Sequence, residues 1–156
     1  MGDSAGGQIA LAFVQQLKKD SEPQPSHIVL ISPVLDATFS NPEARKYEKE
    51  DPMLGIEGSK YLVNLWAGDA PLDHYKLSPM YGDLEDLGHI TITTGTKETL
   101  YPDAVKFSTM LNEKGINHEF IPGYSLFHIY PIFPIPERER FLEQLKRIIP
   151  VSYTHL

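Results

Sequence analysis

The chain contains no cysteine, which excludes disulfides, thiolate nucleophiles and cysteine-ligated zinc together and fits a reducing compartment. Basic residues are in the minority. The 14 Lys and Arg against 21 Asp and Glu give a formal net charge of −7, so a basic surface that recruits nucleic acid or an anionic membrane is not expected. No apolar run approaches the roughly 20 residues that a membrane-spanning helix needs. The opening Met1-Gly2-Asp3-Ser4 has neither the basic nor the apolar region of a signal peptide, and the sequence reads by default as cytoplasmic. Phosphate loops are missing as well: Gly2 to Gly7 satisfies neither G-x-G-x-x-G nor G-x-x-x-x-G-K-[ST]. His27, His74, His89, His118 and His155 stand in no H-x-x-x-H or H-E-x-x-H spacing, so neither a metal site nor a cofactor is expected.

What is present is enough for one globular domain: 156 residues, 41% hydrophobic and 22% charged. Residues 5–19 read as a helix with Ile9, Ala12, Phe13, Gln16 and Leu17 near one face and Lys18 and Lys19 in the last turn. His27–Ile31 is a short continuous apolar run, as in a strand buried on both faces, and Ser32-Pro33 ends it. The polar stretch 34–54, broken by Asn41-Pro42 and Asp51-Pro52, reads as a loop or a short mobile helix. Residues 57–67 are predicted helical, with Tyr61, Leu62, Leu65 and Trp66 on one face; core packing is the favoured role of that stripe, ahead of an acyl pocket. A second strand (89–94), a helix (101–114), a third strand (118–121) and a closing helix (136–149) follow.

Strands alternating with helices at these lengths predict an α/β class with three parallel strands. The alternation opens on a helix whose feeding strand is absent, so the chain is expected to be the later half of a larger domain, spanning 1–150. The tail 151–156 has no helical period and is read as non-native or disordered sequence, outside the fold.

Gly2-Asp3-Ser4-Ala5-Gly6-Gly7 matches G-x-S-x-G immediately before a predicted helix. A nucleophilic serine on a sharp strand-to-helix turn needs small neighbours two positions away, here Gly2 and Gly6, to avoid collision. The backbone N–H of Ala5, at the helix N-terminus, is placed to donate to a developing oxyanion. Such a hydrolase wants an acid and then a histidine on later loops at strand C-terminal ends, and Glu98 and His128 occupy those loops in that order. Asp103 is the second candidate for the acid. Asp36 and Asp51 are read as turn caps.

Together with Ile31-Ser-Pro-Val-Leu-Asp-Ala-Thr-Phe-Ser-Asn-Pro42, Ser78-Pro-Met-Tyr-Gly-Asp-Leu84 and Gly95-Thr-Lys-Glu-Thr-Leu-Tyr-Pro-Asp-Ala104, these residues resemble the hormone-sensitive-lipase-like branch of the α/β-hydrolases from Gly2 to about Ile149. The resemblance implies the later half of an α/β-hydrolase fold and a carboxylesterase or lipase acting on a small-molecule ester through an acyl-enzyme. It assigns Ser4 as nucleophile, His128 as base and Glu98 as acid, with Glu standing where the family more often has Asp. In that family a His-Gly-Gly motif upstream of the elbow completes the oxyanion hole, and these 156 residues contain none. The alternative expectation is therefore a non-catalytic fragment or pseudo-hydrolase. Peptidase or acyltransferase chemistry is a weaker third reading, because the same triad serves all acyl transfer.

Overall fold

The structure, a computed structural model, describes residues 1–149; the tail 151–156, with His155, lies outside the described residues. In chain order the elements are β1 (Gly2–Asp3), α1 (Ala5–Lys19), β2 (His27–Ile31), α2 (Ala44–Tyr47), α3 (Ile56–Ala67), β3 (His89–Gly95), α4 (Tyr101–Glu113), β4 (His118–Gly123) and α5 (Pro136–Ile148). The strands form one parallel sheet in the order β1-β2-β3-β4. Among the described residues the sheet thus has four strands where the sequence pattern predicts three. Gly2 and Asp3 are too short a run to show a period, yet they pair in parallel with Leu30 and Ile31 and feed α1.

Side-chain alternation sorts β2 and β3 between two cores. Ile28, Leu30, Ile90 and Ile92 face α1 and α4, where they pack with Leu11, Val14, Phe107 and Leu111. Val29 and Ile31 face the other way, toward Tyr130 and Phe141 of the segment that includes α5. On that second face Thr93 is bonded in place: its Oγ1 donates to Ile121 O at 2.8 Å and lies 2.9 Å from the Tyr130 hydroxyl. Helices on both sides of a parallel sheet are what bury it.

Two helix faces differ from expectation. In α1 the buried set is Gly7, Gln8, Leu11, Ala12, Val14 and Gln15, whereas Ile9 and Phe13 are exposed. The amide nitrogens of both buried glutamines donate to carbonyls, Gln8 to Leu77 O and Gln15 to Pro79 O, which offsets part of the cost of burying them, although Gln15 Oε1 has no hydrogen-bond partner. In α3 the stripe Tyr61, Leu62, Leu65 and Trp66 is 64–67% exposed and is not core. The helix docks instead through Ile56 and Val63, seven residues apart and hence on one side, against Val34, Phe39, Ala44 and Leu100. The stretch 34–54 holds one short helix, α2, in an otherwise irregular path.

Asp103, in the first turn of α4, is buried and takes a 2.8 Å hydrogen bond from Asn41 Nδ2, tying α4 to the irregular stretch. Burial pushes its carboxyl above the ordinary Asp range, against the pull of the Asn41 bond; nearby Asp36 raises it further and Lys106 lowers it. A folded-state value above the unfolded one means that ionisation costs the folded protein more, so stability is full at acid pH and lost as pH rises through the raised value. Asp103→Asn, which keeps an oxygen for Asn41, is therefore expected to raise the melting temperature at pH 7. The gain should shrink to nothing below about pH 4, and calorimetry across that range checks it; no gain at pH 7 would contradict the assignment.

Candidate active site

Ser4 sits between β1 and α1 with φ 51° and ψ −121°. For a residue with a Cβ this is a sparsely populated conformation that costs about 1–3 kcal/mol. The neighbouring hydrogen bonds hold it there. Ser4 N donates to Ile31 O at 2.9 Å, continuing the β1–β2 ladder, and Ser4 O accepts from Gly7 N at 3.0 Å and Val34 N at 3.1 Å. A Cβ on Gly2 would lie 2.1 Å from Gly6 O, and one on Gly7 would lie 2.8 Å from Pro33 Cβ. The crowded glycines are thus Gly2 and Gly7. Gly6, expected to be the second, would meet nothing nearer than Asp3 Oδ1 at 4.0 Å. The Ala5 N–H begins α1, is on an exposed residue and has no acceptor among the described residues.

His128 follows β4 and is buried, with Nε2 2.9 Å from Ser4 Oγ across 124 residues of chain. Its other ring nitrogen, Nδ1, lies 3.5 Å from Glu98 Oε2, which is too long for a normal N–H···O bond and leaves Nδ1 without a hydrogen-bond partner. The histidine loop is fastened to the acid loop by backbone contacts: Thr96 N donates to Gly123 O at 3.0 Å and Lys97 N to Leu126 O at 3.0 Å. Ser125 N adds a 2.9 Å bond to Thr96 Oγ1. Ser4, Glu98 and His128, far apart in sequence, therefore meet at the C-terminal edge of the sheet. Asp103 is not among them, since its partner is Asn41.

Glu98 is fully buried. Thr94 Oγ1 donates to Oε1 at 2.7 Å, Ser32 Oγ donates to Oε2 at 2.8 Å, and Gly95 N approaches Oε2 at 3.3 Å. A carboxylate withdrawn from water needs such donors. Neither Ser32 nor Thr94 stands out in the sequence, where both read as strand ends. Asp51 caps its own turn, accepting from Met53 N and Leu54 N, and its second oxygen also accepts from Thr99 N and Oγ1, next to Glu98. Asp36 caps its turn through Thr38 N at 2.9 Å and also takes a 2.7 Å bond from the Tyr81 hydroxyl. Burial raises its carboxyl, but the bonds from Thr38 and Tyr81 outweigh that, so it stays below the ordinary Asp range. The remaining described histidines lie elsewhere: His27 and His89 stack edge to face where β2 and β3 begin, and His118 bonds Ser108. No group of three or more His, Asp and Glu suited to a metal ion occurs among the described residues.

Residues 1–132 match the family model of the α/β-hydrolase fold. An esterase from Acinetobacter venetianus is 32% identical over 92% of this chain and 48% of its own length. An acetyl-hydrolase from Streptomyces hygroscopicus is 31% identical over 91% and 48%. The crystal structure of a provisionally assigned esterase from Staphylococcus aureus superposes with a TM-score of 0.93 at 33% identity, over 97% of this chain and 52% of that one. An esterase from the bacterial hormone-sensitive lipase family gives a TM-score of 0.89 at 26% identity, covering 94% and 50%. The chain spans about half the length of the relatives it matches. It belongs to the α/β-hydrolase fold family.

Proposed function

We propose that the protein is a serine hydrolase of small carboxylic esters. The observation that carries this reading is the 2.9 Å contact between Ser4 Oγ and His128 Nε2, made by a serine held at positive φ on a strand-to-helix turn. As Ser4 Oγ attacks the ester carbonyl, His128 Nε2 takes its proton, and the tetrahedral oxyanion is met by the Ala5 N–H. The imidazolium that forms carries its positive charge beside Glu98 Oε2, so the 3.5 Å gap becomes an ion-pair contact. His128 then protonates the departing alkoxide, which leaves as the alcohol, and Ser4 holds the acyl group. Water repeats the attack with its proton passing to His128, and the carboxylic acid departs with Ser4 restored. The names of the two relatives above, an esterase and an acetyl-hydrolase, favour a short acyl group. The alternative is a non-catalytic fragment or pseudo-hydrolase, and the 3.5 Å separation of Glu98 Oε2 from His128 Nδ1 is the observation on its side.

Ser4→Ala is expected to lower kcat/KM for p-nitrophenyl acetate by about 10⁴-fold or more, measured by nitrophenolate release. Retained hydrolysis would overturn the reading. Glu98→Asp, the more usual residue of the family, should also be worse here. Its carboxylate is shorter by one methylene, while Glu98 already sits at 3.5 Å. A displacement of this size costs about 10²-fold in kcat, and an equal or faster Glu98→Asp enzyme would show that Glu98 does not orient the ring.

A further inference from the structure

We propose that Ser32 is a positioning residue that sets the separation of His128 and Glu98 from both sides with a single oxygen; this rests on the ester-hydrolase reading above. Ser32 is completely buried and directly follows β2. Its N–H donates to Thr93 O at 2.7 Å, carrying the β2–β3 ladder one residue further, and its backbone then turns to φ 45°. The turn brings Oγ to two partners that lie 66 and 97 residues away. It donates to Glu98 Oε2 at 2.8 Å and accepts from Ile129 N at 2.9 Å.

Those partners are the two halves of the relay. Oε2 is the oxygen that faces His128 Nδ1, and Ile129 N belongs to the peptide that joins it to His128. Ile129 is itself in the left-handed region, at φ 51° and ψ 31°, which a β-branched side chain rarely adopts. The bond from its N–H to Ser32 Oγ is one of the contacts that hold the chain there. A hydroxyl can donate once while accepting, so one serine serves both partners together. Alanine or glycine serves neither. Without the hydroxyl, Oε2 loses its shortest donor and Ile129 N loses its acceptor, so the ring is held less firmly against both Ser4 and Glu98.

Two variants test this. Ser32→Ala removes the hydroxyl, and Ser32→Gly does the same with a residue to which φ 45° costs nothing. The first readout needs no turnover: the ¹⁵N shifts of the His128 ring, read from long-range ¹H–¹⁵N correlations at neutral pH, report which nitrogen carries the proton. Both folded variants are expected to show shifts moved from the native values toward a tautomer mixture. Native shifts in both would overturn the proposal. The second readout is a double-mutant cycle in ester hydrolysis. Ser32→Ala should lower kcat by about 10- to 100-fold with KM changed by less than about twofold, and should cost less on a Glu98→Ala background, where only its bond to Ile129 N is left to lose. The same loss on both backgrounds, or a loss confined to KM, would overturn it. If the protein shows no Ser4-dependent hydrolysis, the ester-hydrolase reading fails separately and the ring shifts alone decide the role of Ser32.

Discussion

The parallel register of β1, β2 and β3 is the constraint on which the site depends. Asp3 pairs with Ile31, Ile31 with Thr93 and Thr93 with Ile121, so four strands reach one edge in step. From that edge the chain leaves into the Ser4 turn, the Ser32 turn, the acid loop and the histidine loop. A register shift of one residue would move every β2 side chain to the opposite face. It would also withdraw Ile31 O from Ser4 N and Thr93 O from Ser32 N. The nucleophile candidate and its neighbours are thus fixed by backbone pairing before any side-chain contact is made.

Around that edge strain and burial are both offset by hydrogen bonds. Ser4, Ser32 and Ile129 all have positive φ, and each is tied to another: Ser4 to the end of β2, Ser32 to Glu98, and Ile129 to Ser32. Glu98 is fully buried but surrounded by donors from Ser32, Thr94 and Gly95. Preorganisation of this kind lets a site act on developing charge without first rearranging its own groups. The free N–H of Ala5 at the start of α1 fits the same pattern.

Much of this was legible in the residues. The bounds of α1 and β2 follow from apolar runs flanked by Lys18-Lys19 and Ser32-Pro33, and the chain order of Ser4, Glu98 and His128 on loops after strands brings the three side chains into reach of one another. Position in sequence could not reveal Ser32, because its importance lies in contacts with residues 66 and 97 positions away. Asp51 caps its turn as the sequence predicts, and its second oxygen accepts from Thr99, a contact that no local pattern shows. Periodicity told which residues of α3 share a face without telling what meets that face, and Tyr61, Leu62, Leu65 and Trp66 turned out exposed. In α1 the hydrophobic criterion passed over Gln8 and Gln15, whose burial depends on carbonyls more than sixty residues away. Two residues, Gly2 and Asp3, form a strand only because β2 lies alongside.

The most direct test of the central claim, that the fold activates Ser4 through His128, is labelling of the folded protein with a fluorophosphonate followed by peptide mass spectrometry. A phosphonyl adduct on Ser4 is expected, absent after denaturation and strongly reduced in His128→Ala. An adduct on another serine, or none on the folded chain, would contradict it.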